Sequence, residues 1–141
     1  MRVLPFLTLI FPLLLAQAAR GEIVVVTSQA GAGRPIELKR NQVEALFLGR
    51  TTTLPDGTPV KLVDLPPGPI RDDFYLKLTG KNPAQIRAYW SRQVFTGRAT
   101  PPREAQSLNE ALQWLGETPH VIGYLPSGEA APRLYVVLRL P

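Results

Sequence analysis

Few residues in this chain are equipped for chemistry, and their types narrow what that chemistry is. There is one His and no Cys, which removes ordinary zinc, haem and iron–sulfur ligation and any Cys nucleophile. His120 follows Pro119 at the start of an apolar run, with no Ser or Cys motif beside it. Asp72 and Asp73 are neighbours in a helical stretch; at about 100° per residue they point apart and do not share a substrate. No HExxH, nucleophile elbow or Walker sequence occurs. The reading is therefore of a non-enzyme, with no catalytic residue, no metal ligand and no cofactor. What remains is anion recognition. Arg71 follows Gly68-Pro69-Ile70, where a helix starts, and Thr27-Ser28 closes a β-branched run. A helix start exposes unpaired N–H groups and a partial positive charge, and a guanidinium offers an oxyanion two parallel bonds. Thr27, Ser28, Gly68, Ile70 and Arg71 are the candidate oxyanion-binding residues. The competing reading is a plain helix start, with Arg71 paired to a carboxylate such as Asp64 or Asp72.

Other candidates are weaker. Gly31-Ala32-Gly33-Arg34 lacks the third Gly of a dinucleotide fingerprint, and Pro35 stands where a helix should form, so it reads as a connector. Tyr89-Trp90-Ser91-Arg92 resembles a stacking platform, but Trp90 shares a helical face with Ile86 and Val94 and is expected in the core. Arg92 lies about 200° from Trp90 on the wheel and is expected at the surface. Trp114 falls at the border of its helix's buried stripe. Lys77, Lys81, Arg87, Arg92, Arg98 and Arg103 cluster in sequence, yet no nucleic-acid motif accompanies them. They read as a cationic surface facing anionic lipids, glycans or a partner.

These residues need a frame. The chain has 141 residues, 45% of them hydrophobic, which fits one ordinary domain and excludes a disordered chain. Arg2, the apolar run Val3–Leu15 and Ala16-Gln17-Ala18 read as a secretory signal peptide over residues 1–18, leaving a single domain over 19–141. An apolar run of about 13 residues is short of the ~20 that span a bilayer. Sixteen Lys and Arg become fifteen without Arg2 and stand against eleven Asp and Glu, a mature charge of +4. Export with no Cys suits a bacterial periplasm.

Within the domain, Glu22–Thr27 reads as a strand buried on both faces. A helix follows over Val43, Leu46 and Phe47, with Asn41 as its cap and Gly49 just past its end. Pro55-Asp56-Gly57 is a turn, and Val60–Leu65 a second strand. Pro69 at the first helical position opens one helix, with Ile70, Phe74 and Leu78 on its inner face and Gly80 after it. Asn82-Pro83 opens another, with Ile86, Tyr89, Trp90 and Val94 inward. Thr100–Arg103 is an extended loop. Ser107 and Glu110 form a capping box for a helix burying Leu108, Ala111, Leu112 and Leu115. Val121–Leu125 and Leu134–Leu140 are closing strands. The order βαβαααββ predicts a three-layer α/β domain with a small mixed sheet. If the first two strands are parallel, Thr27 and Leu65 end on one edge, where open α/β sheets bind ligands.

Phe47-Leu48-Gly49-Arg50, Leu54-Pro55-Asp56-Gly57, Asp64-Leu65-Pro66 and Arg71-Asp72-Asp73-Phe74-Tyr75 form an ordered series. Pro83-Ala84-Gln85, Ala88-Tyr89-Trp90-Ser91-Arg92, Phe95-Thr96-Gly97, Pro101-Pro102 and Ile122-Gly123-Tyr124 continue it. The series resembles short exported bacterial proteins that look like one lobe of the phosphate-binding proteins of ABC transporters, within the type 2 periplasmic binding protein fold. The resemblance runs from about Ile23 to Tyr124. It implies a single-lobe α/β fold, phosphate or a similar small oxyanion as ligand, and an inner-membrane permease or sensor as partner. It also implies departures: material for the second lobe is missing, and the family's Ser-Gly-Thr-like turn is replaced by Pro67-Gly68-Pro69-Ile70-Arg71, which lacks its hydroxyls. The alternative function is a ligand-free interaction module contacting a membrane sensor or envelope partner.

Overall fold

The computed structural model describes residues 21–29 and 36–141. The signal peptide expected over 1–18 and the connector around Gly31 and Gly33 lie outside the described residues. The elements run β1 (Ile23–Ser28), α1 (Arg40–Phe47), β2 (Lys61–Asp64), α2 (Pro69–Thr79), α3 (Pro83–Phe95), β3 (Arg103–Glu104), α4 (Leu108–Glu117), β4 (Val121–Pro126), a 3₁₀ turn (Ser127–Glu129) and β5 (Leu134–Leu140). The expected order holds with one addition. The stretch read as an extended loop pairs its last residue, with Glu104, in parallel with the end of β2, Val63 to Arg103 and Asp64 to Glu104.

Local chemistry sets most boundaries. Pro69 and Pro83 occupy first-turn positions in α2 and α3, where a missing N–H is harmless. Asn82 and Gln85 cap α3 reciprocally, and Ser107 accepts from the Glu110 N–H at the start of α4. Gly80 ends α2 in the left-handed region at φ 74°, which favours glycine. The expected Asn41 cap is corrected: Lys39 is the N-cap of α1, and its N–H donates to the Gln42 side chain.

The sheet order is β3-β2-β4-β1-β5. β2 runs parallel to β3 and β4, whereas β1 is antiparallel to both β4 and β5. Consecutive residues of β4 show how the layers form, because side chains alternate across a strand. Gly123 faces α4, where a β-carbon would meet the Leu115 side chain at 3.0 Å. Tyr124 faces the other way and stacks on Phe74 of α2, ring centroids 3.6 Å apart, with Phe47 of α1 edge-on to Phe74. The sheet thus lies between α4 and the α1–α2 pair, the predicted three-layer domain with a mixed sheet.

Two helical faces differ from expectation. In α2 the buried residues are Phe74, Tyr75 and Leu78, while Ile70 is 36% exposed. In α3 Ile86 and Trp90 are buried, but Val94 is 55% exposed. Both exceptions lie in a terminal turn, where the helix runs past the elements it packs on.

Candidate functional site

At the C-terminal end of β2 the chain buries a carboxylate. Asp64 is 3% exposed, and burying a charge is unfavourable unless it is paired and hydrogen-bonded. Three side chains answer that need. Tyr75 donates its hydroxyl to Asp64 Oδ2 at 2.7 Å, and Tyr124 donates to Oδ1. The Arg71 Nε lies 3.5 Å from Oδ2. The Leu65 N–H donates to the Tyr124 hydroxyl at 3.2 Å, tying the β2 backbone to the cluster. Burial pushes the Asp64 carboxyl above its ordinary range, against the opposing pull of Arg71 and the two hydroxyls. Burial, reinforced by the Asp64 charge, holds both tyrosine hydroxyls well above theirs. Neither phenol is poised to give up its proton near neutrality, so the cluster is a structural polar core.

Arg71 is the outer member of this cluster. Its Nη1 donates to Glu104 Oε2 at 3.0 Å and to the Leu65 carbonyl at 3.3 Å. Burial alone would weaken its charge, but Asp64 and Glu104 outweigh that and hold the guanidinium firmly protonated. A cavity of about 150 Å³ opens beside it, bordered by Pro67, Asp72, Tyr75, Arg87 and Glu104.

The expected oxyanion site does not assemble, and the reason is strand direction. Thr27 pairs with Ile122, which sits beside Leu62 at the start of β2. Arg71 follows the other end of β2. At ~3.3 Å per residue and ~4.8 Å between strands, Thr27 and Leu65 lie more than about 10 Å apart. The Thr27 hydroxyl donates to the Val121 carbonyl at 2.9 Å, and Ser28 is buried at 2% exposure. Gly68 caps α2 without a side-chain cap hydrogen bond, and Ile70 projects toward solvent. Gly68, Ile70 and Arg71 therefore stay together on one edge, while Thr27 and Ser28 belong to the opposite one. Of the two carboxylates anticipated for Arg71, Asp64 is the one used. Glu104 was missed because it lies 33 residues away on a two-residue strand.

Elsewhere, the Arg103 guanidinium lies 3.5 Å over the Trp114 ring, beside a cavity of about 390 Å³ that also meets Lys61 and Thr52. His120 is a turn residue with φ 57°; its carbonyl accepts from the Lys61 N–H at 2.9 Å. Among the described residues, no group of three or more His, Cys, Asp or Glu is placed to hold a metal ion. No helix among them is long and apolar enough to cross a membrane.

No protein-family model matches the chain, and no curated protein matches it. Solved structures do. A Clostridium perfringens protein designated a phosphate ABC transporter substrate-binding protein, solved with bound phosphate, superposes with a TM-score of 0.61 at 15% identity, over 83% of this chain and 45% of that one. An ABC-type phosphate transport receptor from Vibrio cholerae superposes with a TM-score of 0.51 at 12% identity, over 83% and 46%. The chain thus spans about half the length of these structures. At this identity the likeness shows the fold: one lobe of the substrate-binding-protein kind. Both neighbours are binding proteins rather than enzymes.

Proposed function

We propose that the chain is an exported, non-enzymatic binding module whose α2 edge recognises a protein, a membrane sensor or envelope partner, rather than holding a free oxyanion. The observation that carries this reading is the Arg71 guanidinium, already engaged by Glu104, Asp64 and the Leu65 carbonyl. An arriving phosphate would have to displace Glu104, and the helix start it met would offer no hydroxyl. The rest of the edge suits a macromolecule better. A shallow concavity of about 630 Å³ runs along Ile23, Pro69, Ile70, Leu76 and Pro126, with Ile70 and Leu76 36% and 39% exposed. An apolar strip rimmed by Asp72 and Asp73 is a contact surface, not a cradle for a small anion. Periplasmic placement rests on the leader-like residues 1–18. Calorimetry at low salt with phosphate, sulfate and citrate tests the reading. No heat is expected; millimolar or tighter binding of any of them overturns it.

The second reading is phosphate binding linked to ABC transport, with an inner-membrane permease as partner. It is supported by the phosphate-transport designations of both neighbours and the phosphate bound in one of them. On this reading Glu104, its side chain 52% exposed, swings away as the anion arrives. Glu104→Gln then strengthens phosphate binding by removing an internal competitor. On the first reading the same variant binds no phosphate.

A further inference from the structure

We propose that the C-terminal end of α3 is a docking site for an anionic lipid surface, a role separate from the α2 edge. Phe95 is 92% exposed and Val94 is 55% exposed, the largest values among the big apolar side chains described. They are adjacent on the last turn of α3. Arg92 stands three residues before Phe95, and Arg98 follows the turn at Gly97, whose φ is 65°. Both arginines are exposed, as is Arg87. A concavity of about 470 Å³ lies among Ser91, Arg92, Phe95 and Arg98.

Folding does not account for this arrangement. A phenylalanine left almost wholly in water adds nothing to the core. Ion pairing does not account for the cations either. From Phe74 to Arg103 the sequence has six Lys and Arg and no Asp or Glu. Among the described residues, the ion pairs involve Arg71, Lys77 and Arg139 and none of Arg87, Arg92 or Arg98.

The occupant follows from shape and charge. A second copy meeting this patch about a two-fold axis would set arginine against arginine, so self-association is disfavoured. Phe95 is almost wholly exposed at the end of its helix, beside the arginines rather than beneath them, which suits insertion into a soft layer. At the headgroup boundary of an anionic bilayer, an aromatic ring buries among acyl chains. Flanking arginines meet lipid phosphates and lay their stems along the apolar zone.

Vesicle co-sedimentation of the mature chain, residues 19–141 without the apolar leader-like run, tests this, comparing phosphatidylglycerol–phosphatidylcholine mixtures with phosphatidylcholine alone. Binding to the anionic vesicles only, weakened by salt, is expected. Phe95→Ser should lower partitioning about tenfold, from the lost apolar burial, and Arg92→Ala with Arg98→Ala about thirtyfold, from two cations leaving the surface potential. Thermal melts of these variants should match the parent, separating lost docking from lost folding. A Phe95→Trp variant should shift its emission to the blue on anionic vesicles and not on neutral ones. Equal binding to neutral vesicles, no binding, or no spectral shift overturns the proposal. So does retention on a soluble acidic protein or polyanion that Phe95→Ser leaves unchanged, because the patch is then a general cation surface.

Discussion

Arg71 and Arg92 are the same residue type on successive helices, in opposite circumstances. Arg71 reaches back over the end of β2 and is held by Asp64, Glu104 and a carbonyl. Arg92 stands on the outer face of α3 with no ion pair among the described residues. Both add equally to net charge, yet only one is available to an outside anion. A basic composition therefore says little about where an anion binds. Availability is decided by which carboxylates the fold brings within reach, and at Arg71 the fold has spent that capacity on itself.

Four substitutions probe this contrast between an internally satisfied region and an open one. Trp90→Ala has the largest expected effect. Trp90 closes over Gly49, where a β-carbon would meet its ring at 3.0 Å, and is 9% exposed. Its loss should lower stability by roughly 3–5 kcal/mol in urea denaturation. A change under 1 kcal/mol would mean that α3 is held by its outer face rather than its inner one. Asp64→Ala should follow at about 3 kcal/mol, because two buried hydroxyls and Arg71 lose their acceptor together.

Asp64→Asn sharpens the same region through pH. Burial raises the Asp64 carboxyl above its ordinary value of 3.8, so the folded state keeps that proton to higher pH than the unfolded chain. Its contribution to stability is full below the unfolded value and is lost as pH rises through the folded one. The stability of the parent relative to Asp64→Asn should therefore decline as pH climbs from 3.8 upward. A difference that grows instead would show that the Arg71 attraction outweighs burial. Smallest is Phe95→Ser, expected within about 0.5 kcal/mol of the parent, since the ring has almost no contact to lose. A large destabilisation there would erase the contrast.

How much of this was legible in the sequence depends on the range of the interaction. The starts of α2 and α3 and the end of α2 were readable because Pro69, Asn82-Pro83 and Gly80 act on their own turns. The three layers followed from alternating strand and helix patterns. Strand direction was not readable. Nothing within Ile23–Ser28 says that it runs against β4, and that one fact separates Thr27 and Ser28 from Arg71. Periodicity places Ile70 and Val94 inward, because it marks a face but not how far a neighbour covers it. The Asp64 cluster was half visible: Arg71 with Asp64 was an open alternative, whereas Tyr75 and Tyr124 lie 11 and 60 residues from Asp64 and carry no local mark.

The placement of β1 also governs the order in which the molecule can be made. Its two neighbours in the sheet, β4 and β5, lie at the far end of the described residues: Ile23 pairs with both Pro126 and Leu140. β1 therefore emerges well ahead of both its partners and waits for them, with its β-branched run unpaired meanwhile. Loops this long are closed before their contacts are rewarded, so assembly should be slow relative to helical domains of similar size. Until β5 arrives, Val24-Val25-Val26 is an open edge of the kind that recruits other strands. The seven-residue β5 is in this sense a latch against self-association, and trimming it should produce aggregation before it produces any change in binding.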